Sequence, residues 1–351
     1  MVFGASVQVV HARPAGQLQN ASQIAARLFP AYRLDGGTVQ LAGCALEDHL
    51  FVRFRIRLGD DREETYFADA QAKLLEPLQV DGLGLRDLET IPEPPEGWSE
   101  KRLDRLWEVV RRTISERTGL AEPEPMEAVC IWCRYVTGKL RFHFGAKTAE
   151  QAFAGWTRRL KAPPATCPAT GTPTYHLTQT DDARIAAAER IAVCEETGSR
   201  VLDSDLETCE LTGKRVQAGL LALCPVTGRK ILAYRLLPCR LCGEEVDPDC
   251  LEDDVCRACR RPAPVSADDP RIVRLTSEHP ALEKWGRWRL SETATSYIVA
   301  ARRWLRQGLF VFDKETLTLR AAAVGGRLAS LEKLRKIDDP QSILETEADV
   351  G

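Results

Sequence analysis

The sequence predicts an α+β protein of several domains, on three observations. Apolar residues alternate at period two in some stretches and recur at helical spacing in others. Two proline-rich segments break the chain, and every cysteine except Cys44 falls between Cys130 and Cys259. With 351 residues, 44% apolar and 28% charged, the chain has room for two or three domains and the composition of a soluble globular protein. It contains no run of about eighteen apolar residues and no basic, apolar leader at its start. The expectation is a cytoplasmic protein with no membrane partner, whose reduced, clustered thiols hold metal rather than form disulfides.

Residues 1–90 read as a small α+β domain. Val7-Gln-Val-Val is a strand, and 22–32 a short helix capped by Ser22. In 49–58, Val52, Phe54, Ile56 and Leu58 alternate with Arg53, Arg55 and Arg57, so one face is core. The arginine face reads as solvated and balanced by Asp60, Asp61, Glu63 and Glu64. Residues 91–125 are a linker, Ile91-Pro-Glu-Pro-Pro-Glu-Gly, and then a helix from Trp98 to Thr118, with Leu103, Leu106, Trp107, Val110 and Ile114 on its apolar face. Residues 126–265 are the cysteine region, with a further helix expected over 181–192. A linker at Arg260-Arg-Pro-Ala-Pro-Val leads to a C-terminal α/β module at 266–337, and 338–351 is an acidic tail expected to be disordered.

Within the cysteine region a turn recurs every fifteen residues: Cys194-Glu-Glu-Thr-Gly, Cys209-Glu-Leu-Thr-Gly, Cys224-Pro-Val-Thr-Gly and Cys239-Arg-Leu-Cys-Gly. The last has the two thiols of a metal knuckle, and in the others threonine replaces the second. Repeats of this length, each a hairpin too small to bury its own apolar face, are expected to stack into a short rod. The single thiols of Cys194, Cys209 and Cys224 permit two readings: a shared zinc, with Cys167 as a possible fourth ligand, or small buried hydrophobes whose turns outlasted the metal.

Cys239-x2-Cys242 and Cys256-x2-Cys259 together make a complete tetrahedral thiolate set. Over about 194–262 the chain resembles zinc-ribbon and treble-clef-like zinc-knuckle proteins, with degenerate Cys-x-x-Thr-Gly repeats preceding the ribbon. The resemblance implies a metal-held platform for nucleic acid or protein. It departs from the family at Arg260, which stands where the second knuckle would have glycine. Cys250, between the knuckles, reads as a buried spare thiol. A second zinc site of moderate specificity is available from Cys130-Ile-Trp-Cys133 with Cys167 and His176, and the single-thiol turns would supply a third.

None of the phosphate loops, nucleophile elbows or His-Glu-x-x-His helices of common enzymes occurs, and the five histidines form no paired motif, so the chain is not read as an enzyme. Between Arg271 and Lys336 there are 14 Lys and Arg against 6 Asp and Glu, despite a net charge of −3 for the whole chain. Such a block suits phosphate. Arg287, Arg289, Arg302, Arg303 and Arg306 are interleaved there with Trp285, Trp288, Tyr297, Trp304, Phe310 and Phe312. Residues 291–307 fit a helix capped by Ser291 and followed by a hairpin, as at the end of a winged helix. The β-branched Thr293, Thr295, Ile298 and Val299 fit a strand of a meander equally well. The expected function is that of a non-catalytic zinc-binding subunit, without a small-molecule substrate, that contributes nucleic-acid binding and spacing within a larger complex of protein partners. The alternative is a protein–protein adaptor that uses the rod and the N-terminal domain and never touches nucleic acid.

Overall fold

A computed structural model describes the chain except for residues 1–2, 4–6, 60–61, 97, 120–122 and 346–351. The fold is mixed α+β, with far more strand than helix, and divides into two compact units, 1–191 and 192–351. The last six residues of the acidic tail, and the Asp60-Asp61 pair, lie outside the described residues; the part of the tail that is described is not without structure as expected, since Ser342–Glu345 form a helical turn.

The first unit is organised by two 21-residue strands, Thr38–Leu58 and Glu124–Phe144, paired antiparallel along most of their length. Arg62–Asp69 extends the sheet beyond the first. Gln8–Pro14 lies parallel to the start of the second, and Lys147–Trp156 antiparallel to its end. Because side chains alternate across a strand, Val52, Phe54, Ile56 and Leu58 share one face. The helix Glu100–Thr118 buries Leu103, Leu106, Trp107, Val110 and Ile114 against that face. Phe51, Val129 and Ile131 point the other way, where the helix Pro77–Leu83 supplies Val80. Arg53 and Arg55, also on that second face, ion-pair with Glu127 on the neighbouring strand. The first helix is Ala21–Leu28, and its cap is Asn20, whose side chain accepts the Gln23 N–H, rather than Ser22. The expected boundaries at 90 and 125 are crossed by this architecture, since strands from 8–14 and 124–156 share one sheet.

The helix expected over 181–192 is not formed. Ile185–Ala187 is a strand and Ala188–Arg190 a 3-10 turn. Its apolar residues belong to the hairpin-and-corner pattern of the repeats, whose short period mimics a helical one over a few residues.

In the second unit the repeats expected to build the rod form hairpins, each bonded to the next: the Glu195 N–H donates to the Arg215 carbonyl and the Glu210 N–H to the Lys230 carbonyl. Hairpins such as Leu206–Thr208 with Arg215–Gln217 and Leu221–Leu223 with Lys230–Leu232 are joined by 3-10 corners at Ala218–Leu220 and Ala233–Arg235. Each hairpin turn closes the same way: the Cys194 N–H donates to the Ser199 carbonyl and the Gly198 N–H donates back to Cys194, with equivalent pairs at Cys209, Cys224 and Cys239. The glycine must take positive φ, near +75° in all four turns, which explains its recurrence.

A six-stranded antiparallel meander, in sequence order from Ala263–Pro264 to Arg335–Lys336, completes the unit. The winged-helix alternative does not hold, because 291–307 is strand, turn and strand rather than helix: Ser296–Arg303 pairs with both Gly286–Glu292 and Arg306–Asp313. Ile298 and Ala300 pack with the rod, and Val299 and Ala301 with the helix Pro270–Glu278 on the opposite face. A strand buried on both faces loses its alternation, so its apolar run imitates a helix. The rod and the meander share one core, in which Val216, Ile231 and Val246 adjoin Leu309, Val311 and Ala323. Residues 266–337 are therefore half of a larger unit.

Candidate metal centre and basic sheet end

Cys239 and Cys242 flank the turn between Leu237–Pro238 and Glu245–Val246. Cys256 precedes, and Cys259 lies within, the single helical turn Arg257–Arg260. The second pair of thiols is thus presented by a helix start, which has no need of the left-handed glycine, and Arg260 is accommodated there: its Nε donates to the Val255 carbonyl and its guanidinium pairs with Glu252. The knuckle pattern expects glycine after both pairs; the structure uses it only after the first, at Gly243.

All four sulfurs are buried and lie within 4.8 Å of one another. Cys239 Sγ to Cys259 Sγ and Cys242 Sγ to Cys256 Sγ are each 3.9 Å. With Zn–S bonds of about 2.3 Å, the edge of a regular tetrahedron is about 3.8 Å, so the thiols stand at the separations one zinc ion requires. The Cys256 N–H donates to Cys239 Sγ at 3.3 Å, the kind of backbone bond that fixes a ligating sulfur. Contact with the neighbouring thiols of Cys242, Cys256 and Cys259 pulls Cys239 toward the thiolate, while the same crowding pushes Cys259 up. Four buried sulfurs carry their full negative charge only around a cation. Among the described residues this is the one group of three or more His, Cys, Asp or Glu side chains so gathered, and it can hold one zinc ion.

The second expected set is dispersed. Cys130 and Cys133 lie in an unbroken stretch of the strand Glu124–Phe144, and residues three apart on a strand face opposite ways. Cys130 packs under the helix Glu100–Thr118 and Cys133 in the core on the reverse face. Cys167 Sγ instead accepts the Ala187 N–H at 3.3 Å, and His176 Nε2 lies 2.7 Å from Asp35 Oδ2. Burial pushes each strand thiol up, to about 12 for both Cys130 and Cys133. The folded chain then holds two protons that the unfolded chain releases near the ordinary thiol value of 9.0. Stability is unaffected below that value and falls as pH rises from about 9 toward 12. Denaturant titration at rising pH is expected to show a shallower alkaline loss for Cys130→Ala/Cys133→Ala than for the unaltered chain; equal slopes would refute the assignment.

Among the described residues, Cys194, Cys209 and Cys224 are not gathered into a group of three or more ligand side chains. Cys224 Sγ accepts the Asp247 N–H at 3.2 Å, twenty-three residues ahead, and Cys194 and Cys209 accept those of Gln217 and Leu232 at the same offset. For Cys194, burial raises the thiol, but the Thr197 hydroxyl and the backbone N–H groups of Thr197, Gln217 and Glu196 outweigh it and bring it to about 7. Threonine in these turns thus hydrogen-bonds the sulfur, and the sulfur joins one repeat to the next. The offset was readable as one repeat plus half a hairpin, but nothing in a sequence marks sulfur as an acceptor. Cys250 is a buried thiol, as expected, and donates to the Asp247 carbonyl.

Of the five candidate arginines, Arg289 is tethered, its Nε donating to the Pro262 carbonyl at 2.8 Å. The other four gather at one end of the meander, where Arg302 is exposed although its Nε donates to Gln307 Oε1 at 2.8 Å. Arg302 and Arg303 close Ser296–Arg303, Arg306 opens Arg306–Asp313, and Arg287 follows Gly286, which pairs with Arg302. Arg327, which the sequence reading passed over, joins them: its N–H donates to the Leu305 carbonyl. Trp285, Trp288, Phe310 and Phe312 are buried in the meander core, so they are not available for stacking, whereas Trp304 is exposed.

No protein-family model, curated protein or solved structure matches the chain. Among the described residues, no helix is long and apolar enough to cross a membrane.

Proposed function

We propose that the chain is a non-catalytic zinc-binding subunit that contributes nucleic-acid contacts and spacing within a larger assembly. The observation that carries this reading is the convergence of Arg287, Arg302, Arg303, Arg306 and Arg327 on one end of the C-terminal sheet. Guanidinium groups pair with phosphate in a two-pronged geometry, and cations grouped at one edge release counterions together when phosphate binds. The zinc centre lies in the same unit and shares its core, so the metal supports the arrangement of the sheet without acting on a substrate.

The test uses the full chain, because 266–351 alone would expose the core it shares with the rod. Retention on a heparin or DNA column is expected to fall steeply with salt. Arg302→Glu/Arg303→Glu/Arg306→Glu is expected to abolish it; if three phosphate contacts are lost, the logarithmic salt slope drops by about 3. Retention that survives the triple substitution rejects this face as the phosphate site.

The adaptor reading has one observation of its own. Val193 and Leu223, each placed immediately before a turn cysteine, are more than half exposed, and with Tyr234 and Leu237 they leave apolar side chains uncovered along the rod. A full chain that shows no salt-dependent retention would favour it.

A further inference from the structure

The two strands that carry Arg303 and Arg306 are joined by a turn of only two residues, Trp304 and Leu305. Two-residue hairpin turns favour Asn and Gly because their central residues need positive φ. Here Trp304 takes φ +35°, a conformation that bulky side chains avoid. Its ring is 85% exposed, Leu305 is 67% exposed, and Leu328 beside Arg327 is 98% exposed. Arg303 stands directly opposite Arg306 in the ladder, a like-charge pair that antiparallel strands ordinarily avoid. Among the described residues, no carboxylate pairs with Arg302, Arg306 or Arg327.

Strained backbone, exposed aromatic surface and opposed like charges are each unfavourable for folding, and here they coincide. Such coincidences mark places where a ligand completes the structure. The ligand that answers all three is anionic and carries a flat apolar face. A nucleotide has both, and only an unpaired one offers its face, since a duplex keeps the bases stacked on each other. A bilayer surface also combines negative charge with apolar depth, but a fluid surface makes no demand for a ring fixed at a strained backbone position.

We propose that the Trp304 hairpin tip is a stacking site for an unpaired base of single-stranded nucleic acid, with Arg302, Arg306 and Arg327 on the flanking phosphates. The proposal rests on the nucleic-acid reading above and narrows it to single strands. Stacking on one aromatic ring corresponds to roughly a 10- to 100-fold gain in affinity.

The experiment measures fluorescence anisotropy of a labelled oligothymidylate and of a labelled duplex, each titrated at low salt with the full, zinc-loaded chain. Trp304→Ala is expected to weaken single-strand binding by about 10- to 100-fold and leave duplex binding unchanged. Trp304→Phe should retain most of the affinity, whereas Trp304→Leu, apolar but without a ring face, should behave like alanine. Single-strand affinity unmoved by Trp304→Ala, equal losses on both nucleic acids, or wild-type binding by Trp304→Leu would each overturn the stacking site while leaving the broader reading intact. A wild-type chain that binds neither oligonucleotide overturns both. A chain whose binding to phosphatidylserine vesicles, rather than to the single strand, is lost in Trp304→Ala replaces the proposal with a membrane contact. An unchanged thermal transition and zinc content in each variant excludes misfolding.

Discussion

Replacing Cys239 and Cys242 together by serine is expected to remove bound zinc completely and unfold the end of the rod. Two of four ligands go, and a hydroxyl at each position is both a weaker zinc ligand and an unsatisfied polar group in a site where Cys239, Cys256 and Cys259 are almost wholly inaccessible. Structural zinc contributes on the order of 10 kcal/mol or more to domains that it organises, so no plausible repacking compensates for its loss. The effect should spread, because Val246, Val255 and Leu241 of the knuckles belong to the same core as Ile298, Leu309 and Val311 of the meander. Elemental analysis of the unaltered chain is expected to give one zinc per chain. A value of two or three would mean that Cys130, Cys133, Cys167 and His176, or the single-thiol turns, bind metal after all. A chain whose second unit keeps its thermal transition in strong chelator would show that the apolar core alone suffices. Cys194→Ser tests the distinction from the other side: zinc content should be unchanged, with a modest loss of stability from the broken link to Gln217.

What the sequence disclosed depended on whether an element left a periodic trace. The helix Glu100–Thr118 is exposed on one side only, and all five residues assigned to its apolar face are buried. The Cys239, Cys242, Cys256 and Cys259 set was legible because each pair is local and chemically unusual. Parity hid the truth about Cys130 and Cys133: a gap of two residues suits a turn and separates side chains on a strand, and only the pairing of Glu124–Phe144 with strands on both sides decides between them. The run through Ile298 to Ala301 was ambiguous for the opposite reason, being buried on both faces and so without any alternation to read. The joining of rod and meander left no local trace, because it is made by side chains far apart in the sequence, such as Val246 and Ala323. In the sequence the arginines stand out as a composition, with 291–307 open to either a helix or a strand of a meander. The structure gathers four of them at a sheet end through cross-strand pairing, a relation that depends on the register of the strands.

Trp107→Ala is expected to be the most damaging single substitution in the first unit, lowering its stability by about 3–5 kcal/mol. The indole is 2% exposed and lies where the helix Glu100–Thr118 crosses the sheet, against Phe54 at 5.1 Å and Phe3 at 6.3 Å between ring centroids. Truncation removes the largest side chain of that interface and leaves a void among Val52, Leu103, Val110 and Cys130, none of which is long enough to fill it. A loss of this size is a large fraction of the net stability of a domain, so the helix should detach from the sheet at much lower denaturant. Zinc content should stay at one per chain, because Trp107 and the four sulfurs belong to separate cores. Trp107→Phe, which keeps an aromatic ring at the crossing, should recover a substantial part of the loss. Denaturant unfolding followed by far-UV circular dichroism, with zinc measured on the same samples, would check both halves of the expectation. A fall in zinc content caused by Trp107→Ala would mean that the metal centre depends on the first unit.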